Sequence, residues 1–193
     1  MDRIHSLAYR KDIVNSRGLI AVIGVAFFAL ATALGAYVRI PVPGNPIPIT
    51  LQTFFVLLAG AVLGRRLGFF SQACYILGGM AGLPLFQGAS FGASVLLGPT
   101  GGYLIGFMIC AFITGLIIDS AKSNIISIMA VFVLGSLIIY ASGIAWLVYM
   151  YKMNLTAAIA SGALPFIPGD MAKIAIASAI YSKISRRSKQ IFS

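Results

Sequence analysis

Apolar runs long enough to cross a bilayer, separated by short turns of glycine, proline and basic residues, leave this sequence few choices of fold. A hydrocarbon core about 30 Å thick takes roughly 20 helical residues. Irregular backbone at that depth survives only where protein or a polar cavity covers it. The runs fall at about 19–38, 49–63, 67–83, 98–118, 125–150 and 168–184. Composition agrees, since 60% of the 193 residues are hydrophobic and 9% charged, a balance no ordinary soluble domain shows. The expectation is an all-α integral membrane protein: six transmembrane helices in one compact bundle spanning 19–187, a polar segment at 1–18 and a tail at 188–193. The first run exceeds the roughly 7–15 residues of a signal-peptide apolar region and follows a polar stretch, so it reads as a retained span.

The net charge of +10 follows membrane topology and not nucleic acid, because basic residues sit at the ends of apolar runs and form no long basic run. Six spans with both termini cytoplasmic place Arg3, Arg10, Lys11, Arg17, Arg65, Arg66, Lys122, Lys183, Arg186, Arg187 and Lys189 inside, against Arg39 and Lys152 outside. That asymmetry obeys the positive-inside rule, and one span more or fewer would scramble it. Cys74 and Cys110 lie inside apolar runs without metal-ligand spacing, and His5 lies in the polar N-terminal segment. Neither a disulfide nor a metal site is expected. No segment carries the G-x-x-x-x-G-K-[ST] spacing of a phosphate loop, so no nucleotide site is expected either.

The stretch Pro165-Phe166-Ile167-Pro168-Gly169-Asp170-Met171-Ala172-Lys173 places an acid and a base within membrane reach. With Pro168 at the start of a helix, residues three apart share a face, so Asp170 and Lys173 lie side by side one turn in. An ionised group at the bilayer centre costs about 2.5–3.5 kcal/mol, so such groups face a protein interior or a polar cavity. The topology brings three stretches to the same outer end: the proline loop with Gln52, the glycine-rich segment running to Tyr103, and the Asp170 stretch. Gln52, Thr100 and Tyr103, with Phe86, Phe91 and Phe166 nearby, would complete a pocket for a small amphipathic ligand. The plainer alternative is that Asp170 answers the helix dipole and Lys173 merely pairs with it. Tyr140 either reaches that pocket or packs in the core. On the first span Ala29 and Ala33, and offset by two Ala31 and Gly35, form small-residue faces that either dock a partner or pack internally. Tyr37, Trp146, Tyr149 and Tyr151 fit an aromatic belt.

Three motifs in order, Pro46-Ile47-Pro48-Ile49-Thr50-Leu51-Gln52-Thr53, Leu97-Gly98-Pro99-Thr100-Gly101-Gly102-Tyr103 and Pro165 to Lys173, closely resemble the signatures of BioY. BioY is the biotin-specific substrate-binding (S) component of energy-coupling factor transporters, and the likeness covers roughly residues 19–187. The resemblance implies a multi-pass plasma-membrane protein that is not an enzyme and needs no cofactor. Its partners would be biotin, membrane lipid, a transmembrane coupling subunit and two ATPases, and the S component would topple in the bilayer to release the vitamin inward. By the same resemblance Asp170 and Lys173 are the acid and base of the biotin site, joined by Gln52, Thr100 and Tyr103. The first-span faces of Ala29, Ala31, Ala33 and Gly35 would meet the coupling subunit. Where the family often has Gly-Gly-x-Gly-Gly, sometimes with a basic residue at its centre, this chain has Gly88-Ala89-Ser90-Phe91-Gly92, which leaves Ser90, backbone donors or Lys173 for the biotin carboxylate. From another class, a stand-alone proton-coupled carrier would use Asp170 and Lys173 as a proton relay. An intramembrane enzyme built on Asp170 lacks a second catalytic group beside it.

Overall fold

A computed structural model describes residues 2–120 and 124–192, with side chains from Gly18 onward. The expectations for His5, Arg3, Arg10, Lys11, Arg17 and Lys122 therefore lie outside the described side chains. The elements in chain order are α1 (Asp2–Tyr37), β1 (Arg39–Ile40), β2 (Ile49–Thr50) and α2 (Gln52–Met80), a 3-10 turn (Gln87–Ala89), α3 (Ala93–Leu97), α4 (Gly101–Ile118), α5 (Ile125–Tyr151), α6 (Leu155–Gly162) and α7 (Ile167–Phe192). Among the described residues four helices are long and apolar enough to cross a membrane: the Gly18–Tyr37 part of α1, α2, α4 and α5. A fifth follows if α6 and α7, bent by 50° at their junction, count as one.

Helix α2 is a hairpin and not a rod. At Gly64 the backbone takes φ 77°, ψ 176°, a region essentially closed to residues with a Cβ, and the chain reverses there. The reversal is visible in contacts no straight helix could make. A Cβ on Gly68 would lie 2.9 Å from the Cα of Gly60, and Gln52 donates to the Tyr75 hydroxyl at 2.6 Å across 23 residues, which a straight helix would separate by about 35 Å. Missing side chains allow this closeness: a Cβ on Gly60 would sit 2.5 Å from the Ala111 carbonyl of α4. In lipid, such small-residue contacts replace water exclusion as the force that holds helices together. The α2 arms, 52–63 and 65–80, thus lie antiparallel with α4 packed along them.

This geometry sorts the molecule into two ends. At the Gly64 end Arg65 and Arg66 are exposed. There Lys189 of α7 reaches the carbonyls of Ile118 and Asp119 at the close of α4, and Ser188 donates to the Val62 carbonyl at 2.6 Å. A cation beside the last carbonyls of a helix offsets its negative end. The other end, where the arms of α2 begin and finish, carries the loops and the site.

Several expectations are refined. The proline loop is closed by a short antiparallel pair, Arg39 opposite Thr50 and Ile40 opposite Ile49, so the helix starts at Gln52 and not at Ile49. Asn45 pins that loop, accepting from the Ile47 N–H at 2.9 Å and donating to the Ser161 carbonyl at 2.6 Å. Residues 151–164, expected as a loop, contain α6, whose start Asn154 caps by accepting from the Ala157 N–H. The expected tail from 188 continues α7 to Phe192. Cys110 is buried, as a packing residue would be, but Cys74 is exposed.

Of the two readings of the small-residue faces of α1, internal packing is the one observed. Ala29, Ala31 and Ala33 are buried, and a Cβ on Gly35 would come 3.0 Å from the Gln52 amide nitrogen and the Phe55 ring. Small side chains let α1 sink against α2, so these residues pack inside this chain. What α1 exposes is a bulky apolar ridge that includes Ile23, Phe27, Leu30 and Leu34, as expected of a helix facing lipid. Of the expected aromatic belt, Trp146 is instead half-buried and donates to the Gly98 carbonyl at 3.0 Å, and Tyr37 donates to the Pro84 carbonyl.

A Cβ on Gly64 would meet no described atom within 4 Å, so the need for glycine there rests on backbone conformation. Gly64→Ala is expected to cost about 1–3 kcal/mol, a fall of about 2–12 °C in the thermal midpoint of the purified protein. An unchanged midpoint would show that the hairpin does not need this conformation.

Candidate ligand-binding site

The first turn of α7 builds the centre of the site. Pro168 lacks an N–H, which costs nothing where the helix has no earlier carbonyl to offer. Asp170 in the same turn gains from the positive end of the helix dipole. Asp170 is 4% exposed, and with Lys173 it forms an i,i+3 ion pair at 2.5 Å.

A buried carboxylate is stable only when its oxygens are satisfied, and three helices supply the partners. Thr53 of α2 donates to Oδ1 of Asp170 at 3.0 Å. Lys173 donates to the same oxygen. The Tyr140 hydroxyl of α5 donates to Oδ2. Lys173 completes its own set by donating to the Thr50 carbonyl at 2.6 Å and the Thr53 hydroxyl at 2.9 Å. An ammonium has three donors and a carboxylate about four acceptor positions. Lys173 is therefore fully engaged, while Asp170, whose residue lines the cavity, retains one acceptor position on Oδ2.

Beside this cluster runs a second chain of hydrogen bonds. Thr50 donates through its hydroxyl to Oε1 of Gln52 at 3.1 Å, and Gln52 donates in turn to the Tyr75 hydroxyl. Gln52 keeps a second amide hydrogen and Tyr75 keeps its own proton, both on side chains that line the cavity. The lining surrounds about 580 Å³ of space between atoms, its open mouth included. Phe86, Phe107, Ile139 and Phe166 supply apolar wall, with Phe86 edge-on to Tyr75 at 5.5 Å.

Asp170, Lys173, Gln52, Thr100, Tyr103 and Tyr140 all line this one cavity. Ser90 does not. It sits in an adjoining cleft at the mouth, and its hydroxyl donates to the Gln87 carbonyl at 2.8 Å. Phe91 points outward, 58% exposed. Tyr103 contributes its ring, because its hydroxyl donates to the Gly162 carbonyl at 2.7 Å and ties α4 to the end of α6. Of the two possibilities for Tyr140, contact with the site is the one observed. Sequence reading did not single out Tyr75, Thr50 or Thr53. The polar run Thr50-Leu51-Gln52-Thr53 at the head of an apolar segment signalled the threonines, whereas nothing local distinguishes Tyr75 from a core aromatic.

A sequence model of the BioY family matches residues 9–190. Over 164 residues the chain is 38% identical to the biotin transporter BioY of Thermotoga maritima, covering 85% of this chain and 95% of that one. A probable biotin transporter BioY of Pyrococcus horikoshii is 41% identical over 160 residues, covering 83% and 93%. Among solved structures, the S-component for biotin from an ECF-type ABC transporter superposes with a TM-score of 0.83 at 26% identity, over 93% of this chain and 98% of that one.

Removing one partner of a buried ion pair leaves the other uncompensated, which costs about 3–5 kcal/mol, whereas removing both charges costs far less. Lys173→Met is therefore expected to lower the thermal midpoint by about 6–20 °C, and adding Asp170→Asn to it should recover at least half of that loss. A double variant as unstable as Lys173→Met, or more so, would contradict the pairing.

Proposed function

This chain belongs to the BioY family, and we propose that it captures biotin from outside the cell and passes it inward together with an ATP-driven coupling module. Proteins of this family are transporter components and not enzymes. The chain is a multi-pass membrane protein with a helical fold like that of the S-component it superposes on.

The observation that carries the biotin reading is the remaining acceptor position of Asp170 at the polar end of an otherwise apolar cavity. The bicyclic ring of biotin carries a urea with two N–H donors and one carbonyl, joined to a thioether ring and an alkyl chain. One urea N–H meets the free position on Asp170, and the carbonyl accepts from Tyr75 or the second amide hydrogen of Gln52. Lys173 then acts by holding Asp170 in place. The thioether ring and chain lie against Phe86, Phe107 and Phe166, where burial of apolar surface supplies affinity.

The sidedness follows from the same frame. Taking the two arms of α2 as separate spans and α6 with α7 as one gives six crossings, which puts both termini on one side. The site lies at the end opposite Gly64, Arg65, Arg66 and Lys189, and the basic end faces the cytoplasm. The cavity then opens outward. The partners of such a subunit are a transmembrane coupling protein and two ATPases, and the cargo is biotin with no resident cofactor.

Asp170→Asn keeps size and shape but replaces an acceptor pair by a group that also donates. It should weaken biotin binding at least tenfold in a titration of the purified protein that includes desthiobiotin, thiamine and riboflavin as comparison ligands. Unchanged affinity, or no preference for biotin in the unmodified protein, would overturn the proposal. In reconstituted vesicles, biotin uptake should depend on the coupling protein and ATPases with ATP. Uptake driven by a proton gradient in their absence would favour a stand-alone carrier.

A further inference from the structure

The polar groups expected to receive the carboxylate of the ligand are committed elsewhere. Lys173 makes three hydrogen bonds within the protein, and the Ser90 hydroxyl is turned onto Gln87. One cation at the mouth is not so engaged. Arg39, exposed on β1, makes no side-chain hydrogen bond or ion pair among the described residues. Its position is fixed from below and above. Antiparallel pairing sets it opposite Thr50, the residue whose carbonyl holds Lys173. Its guanidinium lies over Gly88, where a Cβ would come 2.7 Å from Nη1. Gly88 has φ 68°, so the chain turns beneath the guanidinium at a residue with no side chain to obstruct it. Arg39 lines a cleft of about 750 Å³ whose walls at Pro48, Gln87, Val95 and Thr100 are also walls of the inner cavity. The two spaces share these walls, with Asp170 lining the inner one and Arg39 the outer one.

We infer that Arg39 holds the carboxylate of biotin in this outer cleft, an assignment that rests on the biotin reading above. Biotin carries its urea at one end and its only ionised group at the other. With the urea at Asp170, the valerate chain runs outward along the apolar wall and delivers the carboxylate to the cleft. The inner end repels a carboxylate, because Asp170 is negative and Lys173 is already neutralised by it. A guanidinium presents two parallel N–H donors matched to the two oxygens of a carboxylate, and its exposed position lets it receive the anion without a large desolvation cost. Arg39 thereby sets a preference for the free acid over neutral derivatives of the same ring.

The test is a pair of titrations, with biotin and with its neutral amide, on unmodified protein and on Arg39→Gln. The unmodified protein should bind biotin about tenfold more tightly than the amide. Arg39→Gln should lose that advantage while its affinity for the amide stays within twofold, which also shows that the site remains intact. Equal loss for both compounds, unchanged biotin affinity in the variant, or an unmodified protein that binds acid and amide equally would overturn the assignment to Arg39 alone. An unmodified protein that binds neither compound would overturn the biotin reading and Arg39 with it.

Discussion

A carboxylate buried where a bilayer surrounds the protein must have its charge answered on every side, and the outer half of this structure is arranged around that demand. Asp170 takes its donors from α2, α5 and α7 at once, so three helices that could slide in an apolar interface are held in register. Lys173 extends the same constraint to the backbone just before α2. The cluster therefore does two things with one set of bonds: it makes the charge tolerable, and it leaves a single acceptor position on a residue that lines the cavity. A pocket fixed this way is preorganised, and the ligand need not order it on arrival.

Close packing without side chains is the second constraint. The Gly64 reversal folds α2 onto itself, and Gly60 and Gly68 let its arms touch each other and α4. Because the arms begin and end together, Gln52 and Tyr75, distant in sequence, meet at the cavity floor. The same close packing draws the small residues of α1 inward. What α1 leaves exposed is the ridge of Ile23, Phe27, Leu30 and Leu34.

Much of the site was legible in the sequence because charge and amide groups are rare in a chain so apolar. Asp170, Lys173 and Gln52 stand out against their neighbours, and the helical spacing of the first two sets their relation. Tyr103 and Tyr140 were legible as candidates but not in role, since a tyrosine hydroxyl declares its partner only in three dimensions. Tyr103 anchors α6 and Tyr140 anchors Asp170. Tyr75 was hidden because it enters the site only through the α2 hairpin. Helix α6 was hidden because its eight residues are fewer than the stretch over which a helical period can be read. The α1 faces stayed ambiguous for a related reason: a small-residue pattern says that something packs closely, but not whether that neighbour belongs to the same chain.

The account stands on the orientation of the ligand, urea inward and carboxylate outward, and a structure of the protein with biotin bound reads that orientation directly. It should show a urea nitrogen within hydrogen-bonding distance of Asp170, the chain along Phe86 and Phe166, and the carboxylate in the outer cleft. A carboxylate lying beside Lys173, or a ring bound outside the cavity, would contradict it.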